Sequence, residues 1–373
     1  MGRRPAGDPA ALTRPAPLTA QLRASVVAMA TPRRILTQGG LLRAMLARQL
    51  LLERATLSVP RALEAMGGLQ AQYAPAMYVG LWSRLVDLPR AEVTRTLVER
   101  ETVQGTLLRG TIHLVSARDY WPFAVGIREP RRDWWLRVAG KGVDVDALEA
   151  GIQALHERLR HGPLRRDELE DPAYPSLPAN FWLDLLRLPP SGTWERRRAD
   201  LFGLAETWIG PEAVTVGESQ VHLVRRYLQA FGPASRKDIA TWAGLPVKTV
   251  VAALAELDTR TFHDEDGKEL VDLAGLPLPD VDTAVPVRFL AVWDAMLLVH
   301  ARRTQVLPEH HRPRIFGTKI PFSFNTVLVD GQVAGTWRYA EGSVSIVWFD
   351  RPAPDVLDEA ETEAKSLAAF HAD

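Results

Sequence analysis

Gln70 and Gln72 stand two residues apart in the stretch 67–84, GGLQAQYAPAMYVGLWSR. A glutamine amide carries one acceptor oxygen and two N–H donors, and it does not titrate near neutral pH. Two of them can orient a water molecule but cannot take up its proton. Such a pair suits a reaction whose leaving group is already activated, where positioning supplies most of the rate. In an extended segment, residues i and i+2 project to one side, so both amides would face one space while Leu69 and Ala71 turn inward. In a helix they would diverge by about 200°. Gly67-Gly68 before the pair and Pro75 after it argue for the extended form. On spacing alone, two glutamines in a turn are more often simply solvated.

The elements that must hold this stretch read as helices followed by a hairpin. Leu41, Leu42, Met45, Leu46, Leu50 and Leu51 form a helical stripe over 39–53. Further helices are expected over 58–66, 77–85 and 90–99. Residues 103–115, rich in Thr, Leu, Ile and Val with Gly105 and Gly110 as breaks, read as a β-hairpin, the wing of a winged helix. Arg109 and His113 fall on that wing and are candidate contacts to DNA phosphate, although a wing arginine is as often merely solvated. Residues 119–137 interleave Tyr120, Trp121, Trp134 and Trp135 with Arg128, Arg131, Arg132 and Arg137. That pattern suits a nucleic-acid surface or tryptophans buried against a neighbouring domain.

A second unit is expected over 146–216, with helices at 147–159, 165–169 and 180–188 and a wing over 193–209. Arg196, Arg197 and Arg198 lie on or beside that wing; three consecutive arginines cannot all pair internally, so phosphate is the reading for at least one. The third unit is a helix over 220–231, a Ser235-capped helix, a turn at Gly244-Leu245-Pro246 and a helix over 247–257. Its buried stripe is Val247, Val250, Val251, Leu254 and Leu257, and a hairpin follows around Asp264-Glu265-Asp266-Gly267. Only Lys248 and Thr249 face outward and the wing tip is acidic, so this unit reads as scaffold rather than as a base reader.

From residue 285 the pattern becomes strands at 287–292, 326–329, 333–338 and 343–348, then an acidic helix from Asp355. Arg302 and Arg303 are candidate phosphate contacts there. His300, His310 and His311 have no nearby carboxylate pair in sequence and lack zinc spacing, so no metal and no cofactor is expected. Asp294 is expected to pair with an arginine or cap a turn. The segments are 1–34, a basic arm; 35–137, 138–217 and 218–284, three winged helices; 285–350, a β-rich domain; and 351–373, the terminal helix. The fold class is α+β, with tandem winged-helix units forming a concave surface.

Composition bounds the rest. The 373 residues carry 45 basic and 45 acidic side chains, so no global charge draws the chain to DNA, although a local basic groove is compatible with that sum. Zero cysteines exclude disulfides and thiolate metal sites. No stretch approaches 18 apolar residues, so no membrane span is expected. Residues 1–34 hold six arginines against Asp8, and the apolar stretch is too interrupted for a signal peptide.

GLQAQYAP…GLWSRL, followed by GTLLRGTIHLVSARDYWPF, WDAMLLVHARRTQVLP and LVDGQVAGTWR, resembles the bacterial winged-helix DNA glycosylases of the AlkZ/YcaQ type, which excise bulky alkylated purines. The resemblance runs over about 36–348. Its site is Gln-apolar-Gln in the azinomycin-resistance branch and Gln-apolar-Asp in the crosslink-repair branch; Gln70 and Gln72 match the first. It implies a monofunctional DNA glycosylase acting on double-stranded DNA with N7- or N3-alkylated purines. Antibiotic self-resistance or interstrand-crosslink unhooking is the implied role. The glutamines would hold the hydrolytic water in a monomeric, cytoplasmic, nucleoid-associated enzyme. The competing classes are a winged-helix transcription regulator, which leaves both glutamines idle, and a catalytically dead crosslink sensor.

Overall fold

A six-stranded antiparallel sheet carries the motif at its edge. Its order is Leu69–Gln70, Ile112–Ser116, Thr102–Thr106, Leu185–Arg187, Leu201–Leu204 and Leu164–Arg165. The computed structural model describes residues 34–170, 178–298, 304–316 and 324–373. The basic arm up to Arg33, His300, Arg302 and Arg303 lie outside the described residues.

The first unit follows the sequence pattern. Helices Gln38–Arg48, Val59–Met66, Ala74–Trp82 and Arg90–Val98 lead into the hairpin Thr102–Thr106 and Ile112–Ser116. Thr37 caps the first helix by accepting from Gly40 N at 3.1 Å. The aromatic and arginine-rich stretch is one long helix, Ala117–Ala139, capped by Ser116.

The second unit departs from expectation. Helix Val145–Arg160 is present, but residues 165–169 give a strand end and a short 3₁₀ turn, Asp167–Leu169. In place of a helix over 180–188, only Ala179–Trp182 is helical and Leu185–Arg187 is a strand. Pairing of Gln104 with Arg187 and Gly105 with Leu186 buries Leu185, Leu186 and Leu188 in the sheet of the first hairpin. A short apolar run satisfies either period, and the tertiary partner decides. The expected wing over 193–209 is instead the strand Leu201–Leu204 and the helix Ala205–Ile209, preceded by an irregular loop. Ser191 Oγ pins that loop, accepting from Asp200 N at 2.6 Å and Leu201 N at 3.1 Å. The first two units therefore share one sheet.

The third unit has the expected order: Val216–Phe231, Arg236–Ala243, Val247–Ala255, then the hairpin Thr259–Asp264 and Glu269–Leu273. Thr215 and Glu218 form a capping box on the first of these helices. Gly244 takes φ +68°, which lets the chain turn between helices bent by 111°. Only part of the expected stripe is buried. Val250 and Leu254 pack inward, but Val247 and Val251 are each 48% exposed, because a nine-residue helix offers only one i,i+4 ridge to the core. Arg48 ties this unit to the first helix through Asp272 at 2.6 Å.

Strands Arg288–Leu290, Thr326–Val329, Gln332–Ala340 and Ser343–Trp348 make the C-terminal antiparallel sheet, and helix Pro354–Ala372 follows. Phe289, Trp337, Leu367 and Phe370 pack into one core with Leu63, Tyr78 and Trp82 of the first unit. Asp294 does both things expected of it: it binds the buried Arg84 through two 2.9 Å bonds and accepts from Met296 N at 3.0 Å. Among the described residues no single helix is long and apolar enough to cross a membrane.

Candidate active site

Two left-handed glycines build the approach to the motif. Gly67 has φ +76° and ends helix Val59–Met66; Gly68 has φ +82°. A Cβ on Gly68 would meet Val115 Cγ1 at 2.9 Å and the Leu114 carbonyl at 3.1 Å. Only glycine lets the chain lie this close to the hairpin. Leu69 then pairs with Leu114 and Gln70 with His113, and Ala71 N donates to the Ile112 carbonyl at 2.7 Å. Pro75 starts the next helix. Leu69 and Ala71 are buried, Gln70 is half-buried and Gln72 is exposed. Gln70 Nε2 donates to Gln72 Oε1, so the two amides meet on one side, as the extended reading requires. Gln70 Oε1 and the Gln72 NH₂ make no further hydrogen bond among the described residues.

His113 lies across the strand pair from Gln70, fully enclosed. Burial, and then the charge of Arg109, draw its pKa down to about 3. The ring is therefore neutral at physiological pH, with Nδ1 donating to the Thr111 carbonyl at 3.0 Å. This corrects its assignment as a phosphate contact: a buried neutral imidazole offers no charge to DNA. Arg131 is also enclosed, being 6% exposed with Nη1 bound to the Thr106 carbonyl at 2.9 Å. Arg132 is half-buried and donates to the Trp182 carbonyl at 2.7 Å. Arg109 keeps exposed surface, yet neighbouring atoms crowd it and lower its pKa to about 10, so it stays charged. It donates to the Trp242 carbonyl at 3.1 Å from the hairpin tip.

The three consecutive arginines divide. Arg196 pairs with Asp200 at 3.0 Å. Arg197 reaches Tyr73 Oη at 3.3 Å, beside Gln72 in sequence, and lies over the Trp194 ring at 5.6 Å. Arg198 is exposed and has no side-chain partner among the described residues.

Sequence reasoning missed Arg187. It is half-buried, and its Nη1 lies 3.5 Å from the carbonyl of Ala71, the residue between the glutamines. Burial first, then Arg166, lowers its pKa to about 10, and its Nε has no partner. The row Leu69, Leu114, Gln104, Arg187 runs across the sheet, so Arg187 supports the motif from the face opposite Gln70. A lone arginine in LLRL gives no signal of this. Folding brings one carboxylate to the histidines, though not the pair whose lack was noted in the sequence: His311 Nε2 is 3.4 Å from Asp350, and ligand atoms of His310, His311 and Asp350 lie within 4.8 Å of one another.

Comparison with known proteins completes the picture. No functionally curated protein matches the chain. Among solved structures it is similar to the Streptomyces sahachiroi DNA glycosylase AlkZ, with a TM-score of 0.76 and 18% sequence identity over 90% of this chain and 97% of that one. At that identity the likeness establishes the fold. A family model described as DNA glycosylase AlkZ-like matches residues 63–370, a span holding both glutamines and most of the chain. That match displaces the transcription-regulator alternative: the chain belongs to the AlkZ-like DNA glycosylases and is a DNA-acting enzyme.

Proposed function

We propose that this glycosylase excises cationic N7- or N3-alkylated purines from duplex DNA, with Gln70 and Gln72 holding the hydrolytic water. The observation that carries the reading is the direct contact of the two amides on one side of an edge strand, in a motif without a carboxylate. The N9–C1′ bond breaks, and its electron pair neutralises the positively charged base. The sugar becomes oxocarbenium-like at C1′. Water attacks C1′ and releases its proton to solvent. Gln70 Oε1 accepts from the water O–H and so turns a lone pair toward C1′; the Gln72 NH₂ is left to steady the sugar or a flanking phosphate. An alkylated purine leaves readily, so the absence of a charged base is tolerated. This chemistry favours resistance-type removal of a toxin-modified purine over repair of poorly activated lesions.

Abasic-site formation on a duplex carrying one N7-alkylguanine tests it. Gln70→Ala and Gln72→Ala each lower the single-turnover rate about 10²-fold, with DNA affinity nearly unchanged. The double variant falls short of the product of the two, since Gln72 orients the Gln70 amide that holds the water. Equal rates for wild type and the double variant would sink the assignment.

A further inference from the structure

A cavity of about 950 Å³ lies between the hairpin tip, the long helix Ala117–Ala139 and the turn of the third unit. Its size lies in the range of small-molecule sites, and Gln70 and Gln72 do not line it. Two arginines in its wall lack full neutralisation. Arg131 is buried; its Nε and Nη2 make no hydrogen bond, and it shares Asp184 with Arg128, its Nη2 3.7 Å from one carboxylate oxygen while Arg128 binds the other at 2.8 Å. Arg109 binds only a carbonyl and has no ion-pair partner among the described residues. Arg137 adds a third positive charge and Asp133 one negative, so the lining is net cationic. A guanidinium that shares its carboxylate or has none can take up a further anion, and phosphate matches its fork of donors.

The second half of the wall is aromatic. Trp134 stacks on Phe181 with centroids 5.9 Å apart and planes at 20°, yet it remains 49% exposed. One face is supported and surface is left for another ring. Leu245 and Pro246 close the apolar side. We propose that this cavity binds a nucleotide unit, its phosphate between Arg131 and Arg109 and its base on Trp134, at a site separate from the glutamines. The unit is either a free nucleotide or one drawn from a DNA strand, because the recognising chemistry is the same.

Calorimetric titration of the full chain with guanosine 5′-monophosphate, guanosine and inorganic phosphate tests this without reference to excision. Failure here leaves the glutamine reading untouched, and the reverse holds. The monophosphate is expected to saturate one site, with guanosine and phosphate each at least about 10-fold weaker. Trp134→Ala, at an exposed position, weakens the monophosphate by about 10-fold or more, the scale of losing one base–aromatic stack. Arg131→Gln abolishes the advantage of the monophosphate over guanosine; should that variant not fold, Arg109→Gln gives the same readout from an exposed side chain. No saturable monophosphate binding, or wild-type binding by Trp134→Ala, overturns the site. A 2-aminopurine duplex separates the sources: a fluorescence change reversed by the monophosphate identifies a DNA nucleotide. Monophosphate binding that does not compete with the duplex identifies a free one.

Discussion

At position 72 the side chain sets how much positive charge the site can answer. An amide offers only a dipole, whereas a carboxylate there would face the sugar as it becomes cationic. Gln72 is exposed and already touches Gln70 Nε2, so an aspartate still offers an acceptor oxygen on that side, one methylene closer to the backbone. Gln72→Asp is therefore expected to retain excision of an N7-alkylguanine and to gain on a neutral modified purine, a poorer leaving group. Single-turnover rates on the two duplexes decide it. A variant slower than wild type on both would place side chain 72 away from the sugar.

The elements around the motif divide the arginines by what each already holds. The loop between Leu185–Arg187 and Leu201–Leu204 carries three, but Arg196 is committed to Asp200, Arg197 is aimed at Tyr73, and Arg198 is open. Each phosphate neutralised contributes a slope of about −0.9 to log K against log[salt]. Replacing Arg197 and Arg198 by alanine is expected to flatten the slope measurably, while Arg196→Ala alone leaves it nearly unchanged. Fluorescence anisotropy on duplex DNA from low to moderate salt reads both. A slope unaltered by the double replacement removes this loop from the DNA-binding surface.

Across the whole molecule, acid acts through histidines kept neutral by the fold. His113 titrates near 6.5 when unfolded and at about 3 when folded, with burial as the main cause. Between those values the unfolded chain binds more protons, so stability is present above pH 6.5 and is lost as pH falls toward 3. Each unit of separation corresponds to about 1.4 kcal/mol, so a loss of a few kcal/mol is expected. Denaturant midpoints from pH 7 to pH 4 check this: His113→Asn is expected to show a shallower decline than wild type. Parallel declines would mean the imidazole is accessible in the folded state.

Local pattern was enough for some of this architecture. Gly67-Gly68 and Pro75 bracket a stretch that cannot continue as helix, and period-two geometry then puts Gln70 and Gln72 together. The first hairpin, the helix-turn-helix at 236–255 and the C-terminal strands were legible for the same reason: their signals lie within a few residues. The rest depended on partners far away in the chain. Leu185–Arg187 is a strand because Thr102–Thr106 offers it an edge, about 80 residues earlier. Arg187 supports Ala71, Arg84 holds Asp294, and Asp350 reaches His311 across gaps that no periodicity records. Arg131 and His113 looked like surface cations until the packing of the long helix and the paired strands enclosed them. Residue type and spacing determine which chemistry is available; burial and long-range pairing decide which of those side chains can perform it.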